Sequence, residues 1–201
     1  MIASIHQPNY IPWMGYFHKI ARSDIHVILD DVEYSKNGFI NTGPGSTVAI
    51  NSTGLGASGL ALTVNDHAGR ILISQDADGI YALPSINASA NGATAGSTDY
   101  NNPNNIGASF YFYIDTLATD VQIITDGTDK VTGAAMIAVN DGSKKAFFPG
   151  ASNDVCSLNG TTQGGIVGSV LQVTALETAQ YLVHNTLLLG SGSIQTPFSD
   201  T

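Results

Sequence analysis

The chain has 201 residues, 43% of them hydrophobic and only 11% charged, with 22 glycines and a formal net charge of −9. This length allows one core of ordinary size and a small appendage, but not two full domains. The acidic balance excludes a nucleic-acid-binding face, which needs clustered Lys and Arg, and the single Cys156 excludes an internal disulfide.

The start of the chain, MIASIHQPNY, lacks the basic and apolar regions of a secretory signal. Apolar runs such as residues 166–173 are interrupted by Gly and Ser and fall short of the roughly 20 residues that span a bilayer. We therefore expect a soluble protein that is made in a cytoplasm and has no membrane partner.

Two stretches of different character meet near residue 42. Residues 1–42 contain the only tryptophan and predict a strand, a helix over 14–21 and a second strand, which is how an α/β domain begins. Residues 43–59 are rich in Gly, Ser and Thr and predict a linker or extended arm. Residues 60–201 predict a β domain, because short apolar runs alternate with turn signals at roughly even intervals. The expected fold is mainly β, an antiparallel sandwich or barrel of jelly-roll type with an N-terminal strand–helix–strand appendage and an extended arm.

Each short apolar run within residues 60–201 is predicted to form a strand. The sequence Asn140–Asp141–Gly142 between two of them is typical of a tight hairpin turn. Residues 87–107 lack hydrophobic periodicity and predict a long loop, and a weak helical signal is confined to 175–179. The predicted strands cover residues 60–64, 70–74, 80–83, 108–114, 121–125, 134–139, 144–148, 166–173, 180–183, 186–189 and 193–195.

The strand ASFYFYI at 108–114 is the most informative one for function. Strict alternation places Phe110 and Phe112 on one face, which we expect in the core. Tyr111 and Tyr113 then face outward or toward another subunit, where an aromatic ring with one polar atom suits an interface. A sheet covered on both faces within one chain explains the same pattern. The candidate interface residues are Tyr111, Tyr113, Phe147 and Phe148.

Two groups of polar residues have the composition of a catalytic or metal site. For the first group, the sequence lacks the rest of the α/β scaffold that would place other catalytic or metal-binding groups opposite these side chains, which favours a structural role. This group comprises His6, His18 and His26 with Asp30, Asp31 and Glu33. The second group is similar in composition to calcium-binding loops. It comprises Asp76, Asp78 and Gly79 with Asp126 and Asp129.

A calcium loop also needs a bidentate acid several residues on, and none follows Asp78 at that spacing. Tight Asp–Gly turns therefore explain the second group better. Cys156 has no evident His partner and is interpreted as an inert, buried thiol. The sequence thus predicts no catalytic residue, no metal and no cofactor.

Residues 4–41 closely resemble the opening of the WbqC-like family, which is associated with polysaccharide biosynthesis in bacteria and some phages. The resemblance lies in HQPNY at 6–10, PW at 12–13 and GYF at 15–17, a combination that is specific to that opening. It implies an α/β fold, whose remaining body is absent from the later part of this chain.

Residues 60–201 resemble head decoration and other small structural proteins of tailed phages, especially marine phages and cyanophages. This resemblance implies a viral structural protein and not an enzyme: a cement protein on the capsid exterior of a bacteriophage virion. It also implies a homo-oligomer, expected to be a trimer, that binds the major capsid protein. The matching segments are LTVNDHAGRILISQDADGIYALPSI (62–86), ASFYFYI (108–114), ITDGTDKVTGAAMI (124–137) and VGSVLQVTALETAQYLVHNTLLLGSG (167–192).

Two other functions fit parts of the sequence. A truncated WbqC-like enzyme of polysaccharide biosynthesis is implied by the first resemblance. A self-polymerising extracellular fibre or surface-layer subunit has the same low charge and differs only in its partner.

Overall fold

The computed structural model describes residues 3–6, 25–28, 47–86 and 105–200, and for the first two ranges the backbone alone. The chain forms two compact units, Met1–Asn41 and Thr42–Thr201. In the first unit, strands β1 (Ala3–His6) and β2 (Ile25–Ile28) pair in parallel, with His6 opposite Ile28. Parallel pairing requires a crossover connection, as the predicted α/β beginning does. The predicted helix over 14–21 lies outside the described residues.

Within the described part of the second unit, the strands form an eight-stranded and a five-stranded sheet. The larger sheet contains β3 (Thr47–Ile50), β5 (Ile71–Ser74), β7 (Ser109–Ile114), β9 (Lys130–Gly133), β10 (Ala135–Val139), β11 (Lys144–Phe147), β13 (Val170–Glu177) and β14 (Gln180–Gly190). The smaller sheet contains β4 (Leu60–Ala61), β6 (Ile80–Ala82), β8 (Val121–Ile124), β12 (Val155–Leu158) and β15 (Phe198–Ser199). The prediction of a mainly β fold is confirmed.

The order of strands in the larger sheet is β11-β10-β14-β13-β7-β5-β3, with β9 beside β14. From β3 to β8, successive strands alternate between the two sheets. Strands that neighbour each other in one sheet therefore run the same way, as β3, β5 and β7 do, and β4, β6 and β8 as well. The sheets are consequently mixed and not purely antiparallel as predicted, because each return through the opposite sheet acts as a crossover.

One hydrophobic core joins the two sheets in a sandwich-like arrangement, and no closed barrel forms among the described strands. Tyr81 of β6 packs against Phe112 of β7, with 6.1 Å between ring centroids. The buried Tyr81 hydroxyl shares a 2.7 Å hydrogen bond with Ser74 Oγ of β5, so its polar atom is satisfied inside the core. Phe110 and Phe112 are both buried, as the alternation of their strand predicts.

Part of the segment interpreted as a linker or arm is packed into the second unit. Residues 47–50 form β3, whose Ile50 is 1% exposed, and a 3₁₀ turn follows at Gly56–Ser58. The buried Ser52 is held by hydrogen bonds to Asp76. Sequence composition overstated the disorder of this segment, because tertiary contacts of a few residues are enough to order a Gly-rich stretch.

Several elements differ from the predicted ones. Residues 64–67 form a short helix, α1 (Val64–His67), and not the end of a strand, because the Thr63 hydroxyl accepts a 3.2 Å hydrogen bond from the Asp66 N–H as an N-cap. The segment 175–179, which has a weak helical signal, is instead the end of β13 and the two-residue turn before β14, where Ala179 has φ 60°. The predicted strand 193–195 is replaced by β15, and the predicted strands 180–183 and 186–189 form the single strand β14. The strands β9 and β12 were not predicted.

Candidate functional site

The outer face of the larger sheet, opposite the core, carries two rows of side chains in register across five strands, β3, β5, β7, β13 and β14. The first, which we call the apolar row, consists of Ala49, Ile73, Tyr113, Val170 and Leu187. The second, the mixed row, consists of Thr47, Ile71, Tyr111, Gln172 and His184. Neither row contains Lys, Arg, Asp or Glu.

Large apolar side chains of both rows are open to solvent. Ile71 is 42% exposed, Tyr111 39%, Val170 37% and Leu187 41%. The outer face of a sheet that packs on one side only is usually polar, so that hydrophobic residues alternate with polar ones. A contiguous apolar patch on a charge-poor surface is a mark of an interaction site. The outer face is therefore the candidate functional surface of the second unit.

The four residues predicted at an interface lie in different surroundings. Tyr111 and Tyr113 both lie on the outer face, Tyr111 exposed and Tyr113 half-buried. Phe148 follows β11 and is 74% exposed. Phe147 packs against the core and is half-buried, so we leave it out of the surface. The structure brings together only the two tyrosines.

Ile71, Val170 and Leu187 were not singled out from the sequence. The sequence could have indicated them, because apolar residues at consecutive positions make both faces of a strand apolar. Ile71–Leu72–Ile73 and Leu187–Leu188–Leu189 are such runs. Such runs are typical of strands that are covered on both faces. In the described residues, one of those faces is open.

Polar side chains on this face bond to one another. Thr174 Oγ1 lies 2.9 Å from His184 Nε2 and 2.7 Å from Ser109 Oγ, and Asn185 Nδ2 donates to Gln172 Oε1 at 2.7 Å. Asn185 has φ 47°, at an irregularity in the pairing of β13 with β14. No carboxylate among the described residues bonds to His184, so the hydroxyl–imidazole pair lacks the third member of a hydrolytic triad. We assign these contacts to fixing the shape of the surface.

A pocket of about 230 Å³ lies beside the Asp76 turn and is lined by Ser52, Thr53, Gly54, Gly56, Asp76, Asp78 and Ile80. Asp76 Oδ2 accepts hydrogen bonds from Ser52 N (3.0 Å), Ser52 Oγ (3.1 Å) and Thr53 Oγ1 (3.2 Å). The carboxylate therefore ties the loop after β3 to the loop after β5. No group of three or more metal-ligating side chains occurs in the described ranges.

Asp76 makes the stability of the second unit depend on pH. Burial favours a higher pKa for Asp76, but hydrogen bonding with Asp78 and Ser52 outweighs it and lowers this pKa. A carboxyl with a lowered folded-state pKa stabilises fully above the unfolded value of roughly 3.9, and that stabilisation is lost as the pH falls through the folded value.

We expect Asp76→Asn to lower the free energy of unfolding at pH 7 by about 1–3 kcal/mol, because donors of Ser52 and Thr53 lose a charged acceptor. The difference from the wild type should shrink as the pH falls below roughly 4. Urea unfolding at pH 7 and pH 3 measures both effects. The exposed Asp120→Asn is the control, and a pH-independent difference at Asp76 would contradict the assignment.

The other Asp–Gly turn is also closed by its own backbone. Asp126 Oδ1 accepts from the N–H groups of Thr128 (2.9 Å) and Asp129 (2.8 Å), and Asp129 Oδ2 accepts from Ile86 N at 2.7 Å. Burial raises the pKa of Asp129, whereas backbone hydrogen bonds outweigh burial and lower the pKa of Asp126. Asp126 thus closes the turn, and Asp129 ties it to the segment after β6, in agreement with the structural interpretation.

Cys156 is 1% exposed, and burial raises the pKa of its thiol to about 12. A thiol in this environment is protonated at neutral pH and is a poor nucleophile. The prediction that Cys156 is a buried thiol is confirmed.

The polar residues of the first unit cannot be assembled into a site. The strands β1 and β2 place His6 and His26 on adjacent parallel strands, where only the backbone is described. The remaining members of the group, His18, Asp30, Asp31 and Glu33, lie outside the described residues.

Comparison with known proteins finds a similarity in the N-terminal stretch. Residues 7–49 match the model of the WbqC-like protein family. An uncharacterized protein of Mycobacterium tuberculosis is 50% identical over 38 residues, which make up 19% of this chain and 16% of the relative's length. No solved structure matches the chain. The WbqC-like resemblance of the N-terminal stretch is confirmed, and the phage-like character of residues 60–201 stays a prediction.

Across the described ranges, no helix combines the length and the apolar character that crossing a bilayer requires.

Proposed function

We propose that the protein is a structural subunit that acts by assembling with other protein surfaces through the outer face of its larger sheet. The observation that carries this proposal is the apolar row, which runs across five strands without a charged residue. Covering this row removes apolar area from water, and the gain is roughly 25 cal/mol per Å² of buried surface.

The distribution of charge supports assembly over recognition of a charged ligand. The chain has a net charge of −9, which makes copies repel one another wherever charged surfaces meet. The two rows avoid this repulsion, because they contain no Asp, Glu, Lys or Arg. They equally lack the lysines and arginines that a nucleic acid or an anionic lipid surface would need.

In its specific form, the proposal is a capsid decoration or cement protein on the exterior of a bacteriophage virion, made in the host cytoplasm. The body of two sheets would lie on the major capsid protein as part of a homo-oligomer, for which a trimer was predicted. Support comes from the low charge of the chain and from the outer face, whose two rows contain no Lys, Arg, Asp or Glu. Each subunit would stabilise the shell by burying apolar area across the boundaries between capsid subunits.

The test is the mass and symmetry of the purified full chain, followed by electron microscopy of phage shells mixed with it. Small closed oligomers that add regular density to the shell are the expected result. Open filaments would favour the fibre or surface-layer alternative, since a heterologous interface that does not close produces a filament. A monomer that leaves shells undecorated would contradict the structural function.

A second candidate is a truncated WbqC-like enzyme of polysaccharide biosynthesis, and it is favoured by the family match over residues 7–49. Removal of residues 1–41, which form a compact unit of their own, distinguishes the two candidate functions. An enzyme that depends on this unit would lose its activity. A structural subunit that acts through the outer face would retain its assembly.

A further inference from the structure

The two edges of the larger sheet are differently protected against pairing with another strand. At the β11 edge, Lys144 and Lys145 are adjacent and exposed. Lys145 is opposite Ile137, which is buried, so it lies on the core side of the sheet, with its Nζ 4.9 Å from the Phe147 ring centroid. Edge lysines, particularly those that point inward, are a common device against edge-to-edge association.

The opposite edge, β3, carries no lysine or other charged residue. Its sequence, Thr47–Val48–Ala49–Ile50, is uncharged and contains two β-branched aliphatic residues and a threonine. Residues of this composition have a high propensity for strands. An edge that is uncharged and formed by β-branched residues is a template for strand addition.

The backbone of β3 offers hydrogen-bonding groups on its outer side. The carbonyl of Ile50 accepts from Gln75 N at 3.1 Å, on the side of β5. Because successive residues of a strand point their N–H and C=O groups to alternate sides, Thr47 and Ala49 direct theirs away from β5. Neither residue has a backbone partner on that side among the described residues.

We propose that a second copy of this chain adds to the sheet at β3, with the two β3 strands antiparallel across a two-fold axis. The proposal rests on the assembly function proposed above and names its partner, and it replaces the predicted trimer by a two-fold pair. With Val48 opposite Val48 of the second copy, the backbone groups of Thr47 meet those of Ala49 of the second copy, and the reverse. The edge is thus complementary to itself, as a two-fold interface requires.

A second copy suits this edge better than a charged partner does. Two chains that each carry −9 approach most easily where neither presents a charge, and β3 and the two rows that end on it meet this condition. Strand addition also joins the outer faces of both copies into one wider apolar surface. Main-chain hydrogen bonds supply affinity in this mode of association, and side chains supply its register.

The test compares lysine substitutions on the two edges of the full chain by sedimentation. Ala49→Lys and Ala146→Lys both place a lysine at an exposed position of an edge strand, on β3 and β11 respectively. We expect Ala49→Lys to raise the dissociation constant of the dimer at least about 100-fold and Ala146→Lys to leave it unchanged. Ala49→Pro removes the outward N–H, is tolerated on an edge strand, and should act like Ala49→Lys.

Circular dichroism melts of each variant check that the monomer remains folded. A wild-type assembly with an odd number of subunits, or Ala49 variants that associate as the wild type does, would overturn the proposal. Ala49 also belongs to the apolar row, so Ala49→Pro, which adds no charge to the outer face, distinguishes the edge from the face. Association that is lost in Val170→Glu but kept in Ala49→Pro would refute the β3 pairing alone. Association that is insensitive to all of these changes would refute the proposed function as well.

Discussion

Replacing Phe112 by alanine is expected to lower the free energy of unfolding by about 3–5 kcal/mol, the usual range for a buried phenylalanine. Phe112 is 2% exposed and packs against Tyr81 of the opposite sheet. Its neighbours in register, Leu72 and Leu171, are buried as well. Removing the ring leaves a cavity between the two sheets that the rigid strands cannot fill. Urea unfolding, followed by far-UV circular dichroism, measures the change.

The adjacent Tyr111 provides the matched control, because it belongs to the same strand and is 39% exposed on the outer face. Tyr111→Ala should change the free energy of unfolding of the monomer by less than about 1 kcal/mol. Equal losses at both positions would mean that the outer face is covered within a single chain. That outcome would favour the alternative of a sheet buried on both sides.

Individual strands and turns were predictable where the alternation of apolar residues and the residue types of the turn indicate the same structure. Asn140–Asp141–Gly142 joins β10 and β11 into the predicted antiparallel hairpin, with Gly142 N donating to the Val139 carbonyl at 3.0 Å. The burial of Phe110 and Phe112 followed from the period of two in their strand. In both cases the signal is contained within a few neighbouring residues, so no knowledge of the rest of the chain was needed.

The pairing of strands was not predictable, because it depends on which sheet each strand joins. The chain passes from β5 in one sheet to β6 in the other and returns to β7, which makes β5 and β7 parallel neighbours. Turn residues near Asp76 and Pro84 report where a strand ends but not to which layer the chain proceeds. A purely antiparallel arrangement was therefore the natural expectation and was wrong for these strands.

Only part of the candidate surface was predictable, again because the pairing of strands decides which residues lie side by side. Tyr111 and Tyr113 were recognised because aromatic residues on both faces of one strand are conspicuous. Val170 and Leu187 became part of the same surface only through cross-strand register, which places Val170 beside Tyr113 and Leu187 beside Val170. The irregularity between Val170 and Gln172 sets this register, and no single-strand pattern reports it.

Replacing Val170 by glutamate is expected to abolish assembly through the outer face while the monomer stays folded. Val170 lies between Tyr113 and Leu187 in the apolar row and is 37% exposed, so water can solvate a carboxylate there in the free subunit. In an assembled state the same carboxylate would lose its solvation without a cationic partner. The effective penalty for burying an unpaired charge in a protein is several kcal/mol.

A penalty of this size corresponds to a rise in the dissociation constant of at least about 100-fold, since each factor of ten is roughly 1.4 kcal/mol. Sedimentation velocity over a range of concentrations measures it. Val167→Glu is the matched control, because Val167 is 46% exposed but lies in the loop before β13 and outside both rows. If both glutamates weakened assembly equally, added negative charge on an acidic protein would explain the effect, and the apolar row would lose its assigned role. If only Val170→Glu does so, the contact area itself is the cause, because the two variants carry the same charge.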